Sequence, residues 1–289
     1  MGRTLQTIPR RLLGSELKRL RLQAGRSQAE AGRVIGKDQG RITKLEDGQT
    51  NLRPEELAAL LSFLGAGETD REKIMAMGAE ARKRQPRMRA YVDPLPDSYR
   101  RLANLETQAS TILTYENGIF PGLLQCAEYA EALMVACDGL WWASSYQERA
   151  NRVAFRLERQ RLVLGAPQPK QLDFIVTDDA LHTEFGSPQV MRRQFEHVLR
   201  IIAERPTVTV RLLSSTTPNS PSPHGGFTLL EFEKPAPSVG FVSVAHGPSP
   251  YMDAPADTNA LSRVFNRLQD LSLGLAESKT VLADTLRRT

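Results

Sequence analysis

The sequence predicts an all-α, five-helix helix-turn-helix domain followed by a larger α+β domain with a sheet of at least four strands. Three observations carry this. Between Gln28 and Glu46 two short helical patterns meet at one glycine, Gly36. The charge is split: residues 1–90 hold 19 Lys+Arg against 11 Asp+Glu (+8), leaving 19 against 22 (−3) for the remaining residues. Apolar alternation with period two then appears from Leu172 onward. The 289 residues suffice for two cores, and we read residues 1–83 as the helical head, 84–97 as a linker and 98–289 as the α+β domain.

In the head, Leu13, Leu17 and Leu20 line one face of a first helix, with Lys18, Arg19 and Arg21 opposite and Gly25 closing it. Ser27 is placed to cap a second helix, and Glu30, three residues on, completes a capping box. Ala31 and Ile35 share one face of that helix, with Gly32 beside them, and Gly36 ends it in the left-handed conformation of a sharp turn. Ile42 and Leu45 face the same core from a third helix. Asp47-Gly48 is a turn, and Arg53-Pro54 opens a fourth helix striped by Leu57, Leu60, Leu61 and Leu64 and stopped at Gly65. A fifth pattern, Thr69 to Lys83, carries Ile74, Met77 and Ala81.

This periodicity leaves Lys37, Asp38, Gln39, Gly40, Arg41, Thr43 and Lys44 pointing outward, a polar and mostly basic face suited to the edge of a DNA groove. Two amphipathic helices in any helical protein would give the same spacing. The +8 head and the flanking helices favour double-stranded DNA as partner.

Lys83 to Pro96 is basic and proline-bearing, as a linker would be. Tyr99 to Tyr115 reads as a helix, Pro121-Gly122 as a turn opening another, and Tyr146 to Leu164 as a long helix with alternating charge. Leu172, Phe174 and Val176 alternate as a strand, Met191, Phe195, Val198, Leu199 and Ile202 stripe a helix stopped at Pro206, and Val208, Val210 and Leu212 alternate again. Phe227–Phe232 and 241–245 are apolar on both faces, as interior strands are. Leu261, Val264, Phe265, Leu268 and Leu271 make a helix, and another ends the chain. Residues 214–226 form a polar, proline-rich loop.

Several chemistries find no support. Cys126 and Cys137 are the only cysteines and His182, His197, His224 and His246 are scattered, so no metal site is expected and the thiols suit a reducing compartment. With no P-loop, no GxGxxG and no Gly-x-Ser-x-Gly elbow, no catalytic residues, no enzymatic activity and no cofactor are expected. Asp178-Asp179 reads as a helix cap in preference to an acid–base or metal pair, and Trp141-Trp142 as core in preference to the rim of a site. No apolar run approaches a membrane span and the start lacks an apolar signal core, so a cytoplasmic protein is expected.

The head resembles the phage-repressor-like XRE family of helix-turn-helix proteins. In that family a Gln opens the second helix and another lies near the start of the recognition helix, here Gln28 and Gln39. The resemblance implies that Gln28 touches a phosphate and buttresses Gln39. It places the recognition helix, about Asp38 to Glu46, in the major groove, where the Gln39 amide would pair with adenine and Lys44 would reach guanine or a phosphate. It implies further contacts from Lys37, Gly40, Arg41 and Thr43, a phosphate held by Arg53 at its helix N-terminus, and a basic arm of Arg3, Arg10 and Arg11. Gly32 replaces a usual Ala, which suggests a weakened second helix, and Gly40 shifts readout toward Gln39 and Lys44. Homodimers on half-sites roughly 34 Å apart are the usual mode for such repressors.

A second resemblance rests on Tyr115-Glu116, Phe120 to Gln125, Tyr129-Ala130, Arg156, Glu158-Arg159-Gln160, Arg205-Pro206 with Val208 to Val210, and Gly226 to Phe232. These look like a domain of unknown function that follows this kind of head in actinobacteria, with departures at Asn117 and Cys126 and no Trp just after the head. The resemblance implies a Scr-type antitoxin-like transcriptional regulator, modulated through its C-terminal domain by a small partner protein from a neighbouring gene or by a small-molecule ligand. The alternative it leaves open is an antitoxin-like protein-binding module that neutralises that neighbour.

Overall fold

A computed structural model describes residues 8–82, 97–138, 145–221, 225–233, 236–244 and 249–289. Arg3, most of the linker, Trp141-Trp142, His224, Ala245 and His246 lie outside the described residues. The chain divides into two compact units, residues 1–90 and 91–289.

Among its described residues the first unit is five helices: α1 (Ile8–Gln23), α2 (Gln28–Val34), α3 (Gln39–Glu46), α4 (Pro54–Phe63) and α5 (Glu68–Arg82). Leu13, Leu17 and Leu20 of α1 meet Ala31 of α2, Ile42 and Leu45 of α3, the α4 leucines, and Ile74 and Ala81 of α5 in one core. Each fully buried leucine in such a core stabilises the fold by roughly 1.5–3 kcal/mol. The capping box at Ser27 is formed, with Glu30 N donating to Ser27 Oγ at 3.2 Å and Ser27 N donating to Glu30 Oε2 at 2.8 Å. Between α2 and α3, Gly36 has φ +65°, a conformation that an L-residue with a β-carbon adopts only under strain.

The second unit holds a six-stranded mixed sheet in the order β3-β2-β1-β4-β5-β6. The strands are β1 (Thr111–Glu116), β2 (Gln171–Thr177), β3 (Val208–Leu213), β4 (Phe227–Glu231), β5 (Val239–Val242) and β6 (Tyr251–Met252). β1, β2 and β3 run parallel, whereas β1–β4, β4–β5 and β5–β6 are antiparallel, so β1 marks the change of direction. The helices are α6 (Asp97–Gln108), α7 (Ala127–Cys137), α8 (Tyr146–Leu164), α9 (Pro188–Glu204), α10 (Pro255–Leu271) and α11 (Leu275–Arg288). Tyr115, Ile175, Leu213 and Phe227 bury one sheet face against Phe265 and Leu268 of α10. The outer edge of β3 is closed by the α10–α11 turn, where Leu273 N donates to Leu212 O at 2.8 Å and Leu212 N to Ser278 Oγ at 3.0 Å, which blunts an edge open to strand addition.

Three expectations need correction here. The helix read over Tyr99–Tyr115 is α6 followed by the central strand β1. Ala109-Ser110 breaks it, and Thr111-Ile112-Leu113-Thr114-Tyr115, rich in β-branched and aromatic residues, prefers a strand. Pro121-Gly122 opens only a 3-10 turn, Gly122–Leu124, and α7 starts at Ala127. Asp178 and Asp179 are not the cap of their 3-10 turn, because Thr177 holds that position; Asp178 Oδ1 accepts from Ser215 N at 2.7 Å and Asp179 accepts from the Thr177 hydroxyl.

Candidate nucleic-acid interface

The exposed side of α3 and the turn before it carry Lys37, Asp38, Gln39, Gly40, Thr43 and Lys44. Two features hold this helix from its N-terminal side. Asp38 caps it, Oδ1 accepting from Arg41 N at 2.7 Å, so its negative charge faces the helix N-terminus. Gly32 of α2 lies so close that a β-carbon there would sit 2.6 Å from Lys37 O and 3.0 Å from Asp38 O. Gly32 is therefore a packing requirement of the turn, and not only the weak point in α2 that its helix propensity suggests.

Behind the exposed face runs a polar chain through the core. Arg21 Nε and Nη2 donate to the two carboxylate oxygens of Glu46 at 2.5 and 2.9 Å, both side chains being buried. Gln28 Nε2 donates to Glu46 Oε2 at 2.8 Å, and the Thr43 hydroxyl lies 3.1 Å from both Gln28 Oε1 and Gln39 O. The amide of Gln28 thus joins Thr43 and Glu46 in place of the expected buttress of Gln39. The Gln39 side chain makes no hydrogen bond among the described residues. Sequence reading missed Arg21 and Glu46, because a buried ion pair between α1 and α3 leaves no local pattern.

The remaining predicted residues divide by exposure. Lys44 is exposed. Arg41 is half-buried, Nη2 donating to Asn51 O at 3.3 Å, so it braces the α3–α4 loop. Arg53 and Lys37 both face Glu56, at 2.9 and 3.5 Å. The Arg53 guanidinium, helped by its own backbone N–H, holds that carboxyl down to about 2. Glu55, exposed in the same first turn, also acts on Arg53, so two cations meet two carboxylates at the start of α4. The expected arm of Arg10 and Arg11 is instead part of α1: Arg11 is buried and Arg10 Nε donates to Ala81 O at 3.3 Å. Apolar packing of α1 draws both into the fold.

In the second unit, several of the motif residues converge on the segment after β1. Gln160 Nε2 donates to Gly122 O at 2.8 Å and Gln125 O at 2.7 Å, Gln125 Nε2 to Phe120 O at 2.6 Å, and Arg156 to the Gln125 amide oxygen. Gln194, fully buried within the apolar stripe of α9, accepts from Cys126 N at 2.8 Å and donates to Leu124 O at 2.7 Å. A glutamine interrupting that stripe was the signal available for it. Beside this segment Arg159 Nε lies 2.7 Å from Glu106, both buried, while Glu116 at the end of β1 is half-buried. Burial pushes the Glu116 carboxyl up to about 7 against the pull of Arg156 and Arg159. Burial, then the neighbouring Arg159, lowers Arg156 to about 10. Arg205, Pro206 and Val208 lie apart, at the opposite end of the parallel strands beside Leu164.

Among the described residues no helix is long and apolar enough to cross a membrane, and no group of three or more acidic, His or Cys side chains is arranged to hold a metal. Residues 12–74 match the helix-turn-helix domain family, which spans α2, α3 and the polar face described above; this supports a DNA-binding regulator. Neither the curated proteins nor the solved structures contain a match. Residues 99–284, more than half of the chain, match the family described as a domain of unknown function, DUF5753, and the chain belongs to that family.

Proposed function

We propose that the protein is a sequence-specific transcriptional regulator whose α3 enters the DNA major groove and whose second unit tunes that binding in response to a small partner protein or ligand. The observation that supports it best is the face of α3 itself. Gln39, Gly40, Thr43 and Lys44 are exposed, the Gln39 side chain makes no hydrogen bond among the described residues, and the helix is braced from behind by the Arg21–Glu46–Gln28 chain. An exposed amide beside an exposed ammonium on a rigid helix is the equipment for reading base edges. Lys37 and Arg53 supply phosphate contacts at its flank, and binding as a homodimer spaces two such helices one DNA turn apart, roughly 34 Å.

Fluorescence anisotropy on the DNA flanking the protein's own gene tests this. Gln39→Ala and Lys44→Ala should each weaken specific binding by roughly 1–3 kcal/mol. Of the two, only Gln39→Ala should leave nonspecific affinity unchanged. Unaltered specific binding by both variants would sink the assignment.

A further inference from the structure

Two acid–arginine neighbours lie close together in the second unit, and they are built differently. Arg159 and Glu106 are closed on one another at 2.7 Å, with residue exposures of 8% and 1%. This is what a purely structural ion pair looks like. Glu116 and Arg156 both remain half-buried, with surface still open to solvent. Arg156 donates to the neutral amide of Gln125. The Glu116 carboxylate accepts no hydrogen bond among the described residues, although α8 brings both arginines near it.

The surroundings accommodate this open carboxylate at some cost. Glu116 follows Tyr115, which pairs with Phe227, so Gly226 is its neighbour at the next position of the β1–β4 register. A β-carbon on Gly226 would overlap the Glu116 carboxylate and Tyr115 O. The strand opposite is thus stripped of its side chain where Glu116 folds over it. A half-buried carboxylate with no donor among the described residues is less stable than one in water or in a closed ion pair, and it is available to an N–H or O–H of a ligand. The place in the fold agrees: Glu116 ends β1, at the carboxyl end of the parallel strands, where the sheet turns antiparallel. Sheets of this kind receive ligands outside those carboxyl ends.

We propose that Glu116 and Arg156 form a binding site for a small organic ligand with an anionic group for the guanidinium and, close to it, an N–H or O–H donor for the carboxylate. Amino acids and nucleotides both present this pair. The site gives chemical identity to the effector of the regulator reading and rests on that reading for its consequence, whereas its test involves no DNA.

The full-length protein is melted with and without millimolar L-glutamate, AMP or inorganic phosphate, the last offering an anion alone. L-Glutamate or AMP should raise the melting temperature by several degrees, and which one does so identifies the source. Glu116→Gln and Arg156→Gln should each abolish the rise. Unliganded Glu116→Gln should melt at or above the wild type, since it keeps the shape and removes the open charge. If neither organic ligand moves the wild type, or phosphate moves it equally and the rise survives in Glu116→Gln, the proposal is overturned. Should Arg156→Gln fail to fold, the Glu116→Gln comparison still decides.

Discussion

Gly32 approaches the turn after its own helix so closely that a β-carbon on it would lie 2.6 Å from the carbonyl oxygen of Lys37. The angle between α2 and α3 therefore depends on the absence of one methyl group. Replacing a helix-interior glycine by alanine ordinarily stabilises by about 1 kcal/mol. Here the overlap is with backbone, which yields only if the turn moves, and overpacking of this kind costs about 1–3 kcal/mol. We expect Gly32→Ala to be net destabilising in urea titrations and to weaken specific DNA binding several-fold, because the turn it displaces carries Lys37 and Asp38. Unchanged affinity would mean that the turn relaxes without moving α3.

Gly40 provides the opposite case on the same surface. A β-carbon there would meet only Asp38 Oδ1, at 3.5 Å, an ordinary contact. Gly40→Ala should stabilise the head by roughly 0.5–1 kcal/mol. If α3 enters a groove, a larger side chain at the same position should alter which sequences are bound, while leaving the free protein as stable as the alanine variant. Selection of binding sites from a randomised duplex, run for Gly40→Ala and Gly40→Lys, measures this. Identical preferences in both would place position 40 away from the bases.

Glu46 is the junction of the polar chain behind the interface, since it accepts from both Arg21 and Gln28. Glu46→Gln would leave the buried Arg21 guanidinium without its counter-charge, and breaking a buried pair from one side costs about 3–5 kcal/mol. Gln28→Ala removes a partly exposed hydrogen bond and should cost about 1 kcal/mol. Because Gln28 and Arg21 share the same carboxylate, the two losses should not add in a double-mutant cycle of denaturation energies. Additive losses would show that Gln28 is held by something other than Glu46.

How much of this was readable beforehand follows from what is local. The Ser27 cap, the Gly36 turn, and the Leu13, Leu17 and Leu20 stripe depend on residues within a few positions, and they were legible. So were β2, β3 and the helices α8 to α11, whose apolar periods are long. β1 was lost because Tyr99–Tyr115 offers apolar residues at both periods, and what makes Thr111–Glu116 a strand is pairing with β2 and β4, far along the chain. The Arg21–Glu46 and Arg159–Glu106 pairs span 25 and 53 residues, and nothing in either neighbourhood announces the partner. The α3 face was visible as an outward pattern. That Gln28 would turn to Glu46 was not, because the choice between two amide partners is made by tertiary geometry.

Glu116 makes a pH dependence that only the second unit should show. Its carboxyl is raised from an ordinary 4.5 to about 7 by burial, with Arg156 and Arg159 of α8 pulling the other way. Below 4.5 the group is protonated in both folded and unfolded chains and contributes nothing. Between 4.5 and about 7 the folded chain keeps a proton that the unfolded chain has released, so stability falls as pH rises, levelling off above 7. At about 1.4 kcal/mol for each unit, the full effect is bounded at roughly 3 kcal/mol. Glu56 in the head has the opposite sign: held at about 2, its contribution is present above 4.5 and is lost as pH falls through about 2. The two windows do not overlap, and every other titrating group cancels when wild type is compared with Glu116→Gln. The difference in unfolding free energy between those proteins, measured from pH 5 to pH 8, should grow in favour of the variant and flatten near pH 7. A flat difference throughout would mean that Glu116 is solvated like an ordinary surface carboxylate, and would remove the stability cost attributed to it here.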